Sequence, residues 1–559
     1  MKLLRQIAVC GVVAMGTALA RAETGAEAWL RYAPLPDAER VKYASLPAGV
    51  VVLGDSPLLR SAQQEMIRGV KGMLGTTLRE AGTQVQEGSF VLGTVADIRA
   101  IAPELNGPHE VRADGFWLTK GKVRGFDCLI LAGATDRGVL YGVFSFLSRL
   151  ARGENALTPN VVEQPYAPIR WVNQWDNLDG RIERGYAGPS IFFDGGGVRG
   201  DLTRARDYAR LLASLGINGC TINNVNANPR VLEDSFLPQL ARVADTFRPW
   251  GVQLSIAVNL SSPKVIGGLD TFDPLDARVE EWWREKIDAI YRLVPDFGGF
   301  VVKADSEGQL GPSTYNRTPA DAANAIARAL KPHGGIVFYR AFVYNHHLDW
   351  RKRKNDRAKA AYDNFHPFDG KFADNVIIQI KNGPIDFQVR EPASPLFGGL
   401  RRTNQVIELQ VTQEYTGQPR HLCFLAPMWK EVLDFYMRMD HVPHENATPV
   451  KDLVAGTVFH RPSGGFVGVV NVGMDTNWLG HPLAMANLYS FARLAWDPNV
   501  SATTLADEWT RLTFGSDPLV VRTITEMLLA SWQIYESYTG PPGRRHADRH
   551  HGKPLRTRH

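Results

Sequence analysis

The chain has 559 residues, of which 44% are hydrophobic and 22% are charged, with 52 Gly and 34 Pro. This ordinary globular composition excludes a disordered or fibrous chain, and the length allows more than one domain, each with its own core. The formal net charge of +5 would by itself suggest a nucleic-acid or anionic-membrane partner.

The first 22 residues carry three basic side chains and no acidic one, and the stretch from Ile7 to Ala20 is almost wholly apolar. This pattern predicts a signal peptide cleaved after Ala22, because the apolar stretch is short for a bilayer span and small residues precede the cleavage site. We therefore expect an exported protein, periplasmic or extracellular, with no membrane insertion after signal cleavage.

The positive charge is concentrated at the two ends of the chain. Residues 541–559 contribute +5 and residues 1–22 contribute +3, which leaves −3 for the rest. The body of the protein is therefore mildly acidic, and we expect no nucleic-acid partner. Three cysteines of this body, Cys128, Cys220 and Cys423, lie in apolar runs without disulfide or zinc spacing and are expected to be buried free thiols.

Residues 23–160 have the pattern of a small α/β domain. Helical patterns cover Leu58–Leu74 and Arg137–Leu150, and short apolar runs typical of strands lie between and around them. These runs are Val50–Leu53, Phe90–Val95, Phe116–Leu118 and Cys128–Leu131. Three prolines, Pro159, Pro165 and Pro168, then indicate a linker to the next domain.

Residues 161–490 contain eight further apolar runs with amphipathic helical patterns between them. The runs are Arg170–Trp175, Gly219–Asn223, Val252–Asn259, Gly299–Ala304, Ile336–Phe342, Val376–Lys381, Ile407–Thr412 and Phe466–Val472. Eight alternating strands and helices predict a (β/α)8 (TIM) barrel. One helix has a clear start signal, with Thr318 as N-cap, Pro319 at the first helical position and Asp321 in the first turn.

The active site of such a barrel lies at the carboxyl ends of its strands, so the polar residues after each run are candidates. They include three carboxylates (Glu307, Asp386 and Glu414) and three cations (Lys303, Arg340 and Lys381). Hydrolysis of a glycosidic bond needs one carboxylic acid and one carboxylate. The cations would hold a carboxylate on the sugar, Arg by its two-pronged fork and Lys as a point charge. Ion pairing at the barrel mouth without chemistry stays open at this point.

Several long motifs resemble the family 67 α-glucuronidases, from about residue 26 to residue 540. They are WDNLDGRIERGYAGPSIFF, NNVNAN, VKADSEGQLGP, IKNGPIDFQVREP, ELQVTQEYTGQ and NVGMDTNWLGHPLAMANLYSFARLAWDP, with WLRYAPL at Trp29 near the start. The resemblance implies that Glu307 is the general acid and that Asp386 and Glu414 share general-base duty on the attacking water, with inversion at the anomeric carbon.

The resemblance also implies how the substrate is held. Lys303, Arg340 and Lys381 would bind the glucuronate carboxylate and hydroxyls, and Trp175 and Val225 would line the pocket, including the part that receives the 4-O-methyl group. The implied substrate is 4-O-methylglucuronic acid that is α-1,2-linked to the non-reducing terminal xylose of glucuronoxylan oligosaccharides. No metal or cofactor is implied.

The family continues beyond the end of this chain with a mostly helical C-terminal domain that contributes to dimerisation. We expect residues 491–540 to be the start of that domain and most of it to be missing, so the homodimer possible for the full-length family is in doubt here. Residues 541–559 are expected to be an aberrant, out-of-frame tail, because a coding sequence for HADRHHGKPLRT read one base later gives TLTDITGSHYGP, which resembles the family's continuation.

Two other functions stay open at the level of sequence. The first is a non-catalytic or inactive uronate-binding remnant, which would keep the cations but has little need of Glu307, Asp386 and Glu414 together. The second is a different glycosidase on the same barrel. The three cations speak against a neutral sugar and therefore against this second alternative.

Overall fold

The computed structural model describes residues 24–108, 110–342, 349, 351–352, 357–382, 392–418, 420–438 and 447–539. The expected signal peptide, the tail after residue 540 and Asp386 lie outside these described residues. Among the helices within these ranges, none is both long and apolar enough to cross a bilayer.

The first part of the chain forms a six-stranded sheet. Its strands are β1 Gly49–Val52, β2 Arg79–Glu80, β3 Ser89–Thr94, β4 Phe116–Val123, β5 Phe126–Gly133 and β6 Asn160–Glu163, in the order β2-β1-β3-β5-β4-β6. β4 is antiparallel to both of its neighbours, and the other pairs are parallel. The longer helices of this part are α1 Pro57–Leu74, α2 Val95–Ile101 and α3 Asp136–Ala151, and a single-turn helix covers Asp37–Arg40. The predicted small α/β domain is thereby confirmed.

The second part is a closed barrel of eight parallel strands, in which each of the eight predicted runs overlaps one strand. The strands are β7 Ile169–Asn173, β8 Gly219–Ile222, β9 Gln253–Val258, β10 Gly299–Val302, β11 Ile336–Arg340, β12 Val376–Lys381, β13 Asn404–Gln410 and β14 Gly465–Val469. They pair in chain order, and β14 closes the barrel against β7. The barrel prediction is confirmed.

Helices connect the barrel strands and continue after the last one. The longer connecting helices are α4 Thr203–Ala213, α5 Leu237–Phe247, α6 Ala277–Leu293, α7 Pro319–Leu330, α8 Arg357–Phe365 and α9 Ala426–Leu433, and short helices cover Ser262–Val265, Leu396–Gly399 and Val450–Val454. The barrel is followed by α10 Met485–Trp496, α11 Ala502–Phe514 and α12 Pro518–Thr539. Helix α7 begins as predicted: Thr318 Oγ1 accepts from the Asp321 amide at 3.1 Å, and the Asp321 carboxylate accepts from the Thr318 amide at 2.8 Å.

The interior of the barrel contains a buried apolar layer, and a polar layer lies next to it, nearer the carboxyl ends of the strands. The apolar layer includes Trp171, Ala257, Val301, Phe338, Ile377, Val406 and Val467. Because side chains alternate across a strand, the residues two positions further on share the same face, nearer the carboxyl ends. Those residues include Asn173, Lys303, Arg340, Gln379 and Glu408. The apolar layer therefore supports a ring of polar side chains at the mouth.

The three cysteines are buried, as expected from the sequence. Burial raises the pKa of the Cys220 and Cys423 thiols, that of Cys423 to about 12. A thiol with so high a pKa is a poor nucleophile and a poor metal ligand at neutral pH. These cysteines therefore belong to the core and not to a reactive site.

Candidate active site

The carboxyl end of the barrel carries a concentration of unusual backbone conformations. Seven non-glycine residues there have left-handed φ angles between 48° and 71°: Arg184, Asn223, Asp305, Glu307, Gln413, Tyr415 and Asn471. Such conformations are costly for L residues, and they persist where the surrounding structure enforces them, which occurs most often at functional sites. The strain therefore marks the same end of the barrel as the candidate charges.

Lys303 connects Asn226 and Glu307. We call this part of the mouth the acid side, because the resemblance implies that Glu307 is the general acid. It directly follows β10, and its ammonium donates to Asn226 Oδ1 at 2.7 Å and to the Glu307 carboxylate. The Lys303 side chain is buried, whereas that of Glu307 is 45% exposed. Glu307 can therefore be reached from solvent while its ammonium partner cannot.

The protonation of Glu307 is controlled by this contact. Burial raises the pKa of Glu307, but the hydrogen bond and charge of Lys303, helped by Arg340 and Lys381, outweigh burial and lower the pKa below its ordinary value. The Lys303 pKa is also lowered, by burial first and by the charge of Arg340 second. Glu307 is therefore ionised at neutral pH in the ligand-free protein, and it must gain a proton before it can act as an acid.

Arg340 is held in a buried pair with a residue that the sequence analysis did not single out. Its Nε and Nη2 donate to the two carboxylate oxygens of Glu408 at 2.7 and 2.6 Å, and both side chains are at most 2% exposed. Gln379 and Gln410 also donate to Glu408. Burial raises the pKa of Glu408, but Arg340 outweighs it and keeps the pKa below its usual range. One edge of the Arg340 fork is thus occupied by the protein itself.

Glu414 accepts hydrogen bonds from two cations. We call this part of the mouth the base side, because the resemblance implies a general-base role for Glu414. Lys381 Nζ donates to Glu414 Oε2 at 3.2 Å, and Arg184 Nε donates to Glu414 Oε1 at 3.1 Å. Lys381 also lies 4.3 Å from the ring centre of Phe342, in a cation–π contact. Asp386 falls outside the described residues, so its placement and its role stay predictions.

Trp175 and Val225 form an apolar wall beside the cations. Both are 4% exposed and belong to the cluster that fills the barrel interior. The Arg340 guanidinium lies 5.3 Å from the Trp175 ring centre. Within the described ranges, the buried Trp175 Nε1 has no hydrogen-bond partner. A buried donor without a partner is costly, and a ligand oxygen in the mouth would satisfy it.

Three charged residues of this site were missed by the sequence analysis: Glu183, Arg184 and Glu408. Glu183 Oε2 accepts from Asn224 Nδ2 at 2.7 Å and from Asn226 Nδ2 at 3.2 Å. Glu408 had a usable signal, because it follows the interior residue Val406 by two positions. Glu183 and Arg184 lie in a loop, where no periodicity indicates which way a side chain points.

The described residues show no metal centre. No group of three or more His, Cys, Asp or Glu side chains among them is arranged to hold a metal ion. The candidate site is instead made of carboxylates and cations in alternation. Carboxylate side chains at the carboxyl ends of the strands of a (β/α)8 barrel are typical of glycoside hydrolases, and here basic side chains contact them.

Comparison with models of protein families identifies the family to which the chain belongs. The glycosyl hydrolase family 67 models match along most of the chain: the N-terminus at residues 28–146, the middle domain at 149–478 and the C-terminus at 479–556. The chain belongs to glycosyl hydrolase family 67, and the resemblance inferred from the motifs is confirmed.

The match to the C-terminal model corrects one expectation from the sequence. We expected that domain to be largely missing and residues 541–559 to be out of frame, but the match runs from residue 479 to residue 556 and includes most of the tail. The described start of this region already consists of packed helices, α10 to α12. The shifted reading of one coding sequence for HADRHHGKPLRT was a poor guide, because several codons encode most residues and the choice among them decides which peptide the second frame gives.

Curated relatives carry a consistent name. The probable alpha-glucuronidase A of Neosartorya fischeri is 50% identical over 529 residues, which are 94% of this chain and 62% of that protein. Alpha-glucuronidase A of Emericella nidulans is 50% identical over 537 residues (93% and 62%), and the alpha-glucuronidase of Hypocrea jecorina is 49% identical over 544 residues (93% and 62%). The chain thus spans about 62% of the length of these relatives.

Solved structures support the fold. A structure described as CpGH84B has a TM-score of 0.51 at 12% identity, covering 87% of this chain and 74% of that chain. A GH138 enzyme described as targeting pectin rhamnogalacturonan II has a TM-score of 0.50 at 14% identity, covering 88% of this chain and 55% of that chain. At such low identity these similarities concern the fold alone.

Proposed function

We propose that this protein is an inverting glycoside hydrolase that removes α-1,2-linked (4-O-methyl-)D-glucuronic acid from the non-reducing terminal xylose of glucuronoxylan oligosaccharides. The observation that carries the proposal is the alternation of buried cations with carboxylates at one mouth: Lys303 with Glu307, Arg340 with Glu408, and Lys381 with Glu414. A neutral sugar offers no charge to these three buried cations, whereas the carboxylate of a uronic acid would be a further anionic acceptor beside the carboxylates that they already contact. The names of the relatives support the same substrate class.

The uronate carboxylate would bind among Lys303, Lys381 and the Nη1 nitrogen of Arg340, since Glu408 occupies the opposite edge of that guanidinium. Trp175 Nε1 would donate to a sugar oxygen, and Val225 would contact the 4-O-methyl group. Binding of an anion to the cations reduces the positive field that keeps Glu307 ionised. The substrate would thereby raise the pKa of Glu307 and favour its protonated form.

Protonated Glu307 would then donate its proton to the glycosidic oxygen as the xylose leaves. Glu414, together with Asp386, would accept a proton from the water that attacks the anomeric carbon from the opposite face. Inversion requires that this water fit between acid and base, which corresponds to a separation of about 6.5 to 9.5 Å between their carboxyl groups. The Lys381 and Arg184 contacts fix the orientation of the Glu414 carboxylate for this task.

The test is release of 4-O-methylglucuronate from aldotetraouronic acid, followed by chromatography. Wild-type protein should release the free uronic acid and xylotriose. The Glu414→Gln variant should release both products very slowly. Arg181→Gln is the control variant, because the Arg181 side chain is 84% exposed to solvent. Absence of free uronic acid from the wild-type reaction would refute the proposal.

A second candidate function is uronate binding without catalysis. The lowered pKa of Glu307 favours it, because an ionised carboxylate held on Lys303 is not yet an acid catalyst. Calorimetry with aldotetraouronic acid separates the two candidates. Binding that is saturable but unaccompanied by release would support the binding protein, and release would exclude it.

We also propose that the protein is exported to the periplasm or the medium, on the basis of the basic and apolar pattern of residues 1–22. Expression of the full chain followed by N-terminal sequencing of the mature protein tests this. A mature N-terminus at Glu23 is expected, and an intracellular protein that retains Met1 would contradict it.

A further inference from the structure

Two neighbouring loop residues of opposite charge, Glu183 and Arg184, contact opposite sides of the candidate active site. From this placement we infer that Glu183 and Arg184 are positioning residues, which hold the acid side and the base side of the site in a fixed relation. The inference rests on the proposed function and assigns roles that go beyond the candidate catalytic and binding residues.

The backbone of this pair is fixed at three points. The Glu183 amide donates to the Trp175 carbonyl at 2.9 Å, and Asn471 Nδ2 donates to the Glu183 carbonyl at 2.7 Å. Thr412 Oγ1 donates to the Arg184 carbonyl at 2.6 Å. These partners follow three different barrel strands, β7, β14 and β13, so the pair is anchored to the rim of the barrel and does not move as a free loop.

Glu183 acts on the acid side through one amide. Its carboxylate accepts from Asn226 Nδ2, and Asn226 Oδ1 accepts from Lys303. A carboxylate only accepts hydrogen bonds and an ammonium only donates them, so these two neighbours permit a single orientation of the Asn226 amide. Lys303 in turn donates to Glu307. Glu183 therefore sets the position of the Lys303 ammonium, and through it the carboxyl group of Glu307.

Arg184 acts directly on the base side. Its Nε donates to Glu414 Oε1 at 3.1 Å, its Nη2 donates to the Tyr415 hydroxyl at 3.0 Å, and the guanidinium lies 5.4 Å from the Tyr415 ring centre. Three contacts to two neighbouring residues fix the guanidinium plane. The left-handed φ of 56° at Arg184 is the backbone cost of directing the two side chains of this pair to different partners.

The consequence is a fixed distance between the acid side and the base side. The Cα atoms of adjacent residues are about 3.8 Å apart, and the backbone of the pair is anchored at three points, so a substitution of one side chain of the pair leaves the contacts of the other side chain in place. An inverting reaction depends on the acid–base separation, and a misplacement of about 1 Å costs about 100-fold in rate. The pair contributes to the rate by geometry and does not itself transfer a proton.

The two branches predict different dependence on the leaving group. Departure of xylose needs a proton from Glu307, whereas departure of fluoride from α-glucuronosyl fluoride needs little acid assistance. Glu183→Gln keeps the size of the side chain but weakens the acid branch, so kcat should fall about 10-fold on aldotetraouronic acid and less than about 3-fold on the fluoride. Arg184→Met weakens the base branch, so kcat should fall about 10-fold or more on both substrates, because both need the attacking water.

The experiment measures kcat and KM of wild type, both variants and Arg181→Met on both substrates, with circular dichroism and melting temperature as checks of folding. Arg181→Met is the matched control from the same loop and should equal wild type. Equal loss on both substrates for Glu183→Gln, or unchanged rates for Arg184→Met, would overturn the inference while wild-type turnover upholds the proposed function. A wild type that releases glucuronate from neither substrate would overturn the proposed function, and this inference with it.

Discussion

Replacement of Glu408 by Gln tests whether the ion pair at the barrel mouth is as tight as the structure indicates. Glu408 accepts two hydrogen bonds from Arg340 and one each from Gln379 and Gln410, and it is fully buried. Glutamine has nearly the same shape but offers one acceptor oxygen and a donor in place of the second oxygen. In the variant, a donor would face a donor, and Arg340 would be buried without its counter-charge.

The expected cost follows from this geometry. Removal of one partner from a buried ion pair destabilises a protein by about 3–5 kcal/mol, because the remaining charge is left uncompensated. Arg340 retains favourable interactions with the charges of Glu414 and Glu307, which places the expected loss near the lower end. We therefore expect Glu408→Gln to lower the free energy of unfolding by about 3 kcal/mol at pH 7.

The pH dependence has a definite sign. Burial raises the pKa of Glu408, but the charge and hydrogen bonds of Arg340 outweigh burial and hold the pKa below 4.5 in the folded protein. A carboxyl group of this kind stabilises the fold above its unfolded pKa, and the stabilisation is lost as the pH falls through the folded pKa. The difference between wild type and Glu408→Gln should thus be constant above pH 4.5 and shrink below it.

Urea unfolding followed by fluorescence at several pH values measures both effects. The double variant Arg340→Met/Glu408→Leu removes both charges and should recover more than half of the stability that Glu408→Gln loses. A Glu408→Gln protein within about 1 kcal/mol of wild type at pH 7, a loss typical of an exposed pair, would refute the reasoning. So would a difference that does not change below pH 4.5.

Glu307→Gln should lower kcat on aldotetraouronic acid by about 100-fold or more and lower it far less on α-glucuronosyl fluoride; equal losses would contradict the acid role. Burial raises the pKa of Asp176 from 3.8 to about 7. Between these two pH values the folded protein keeps a proton that the unfolded chain has released, so the wild type loses stability as the pH rises. Asp176→Asn has no such proton and should become progressively more stable relative to wild type over the same range. A pH-independent difference in unfolding free energy would contradict this. Thr318→Ala removes the capping box of α7 and should cost about 1 kcal/mol in urea unfolding, with the exposed Thr83→Ala as the control that should not change.

The barrel was predictable because its signals are local and repeated. Each strand appears in the sequence as a short apolar run and each connection as an amphipathic pattern. The sequence also shows the start of α7, because Thr318 and Asp321 have the spacing of a capping box. The rule that barrel sites lie at carboxyl ends of strands then selects Lys303, Arg340 and Lys381 without knowledge of contacts. All three are buried there.

The pairing of those charges was not predictable. Arg340 and Glu408 are 68 residues apart on strands that are not neighbours, and only the closed barrel brings them together. The sequence places Lys303 close to Glu307 in one motif, but it does not indicate that this contact outweighs burial and holds Glu307 ionised, because that competition depends on distances. Glu183 and Arg184 were missed for a related reason, since their partners follow different strands.

The most direct test of the central claim is proton NMR of the reaction with aldotetraouronic acid, recorded before the released sugar mutarotates. An inverting α-glucuronidase whose acid is Glu307 and whose base group includes Glu414 should give β-configured 4-O-methylglucuronate as the first product. First-formed α-glucuronate, or no released uronic acid at all, would contradict the account.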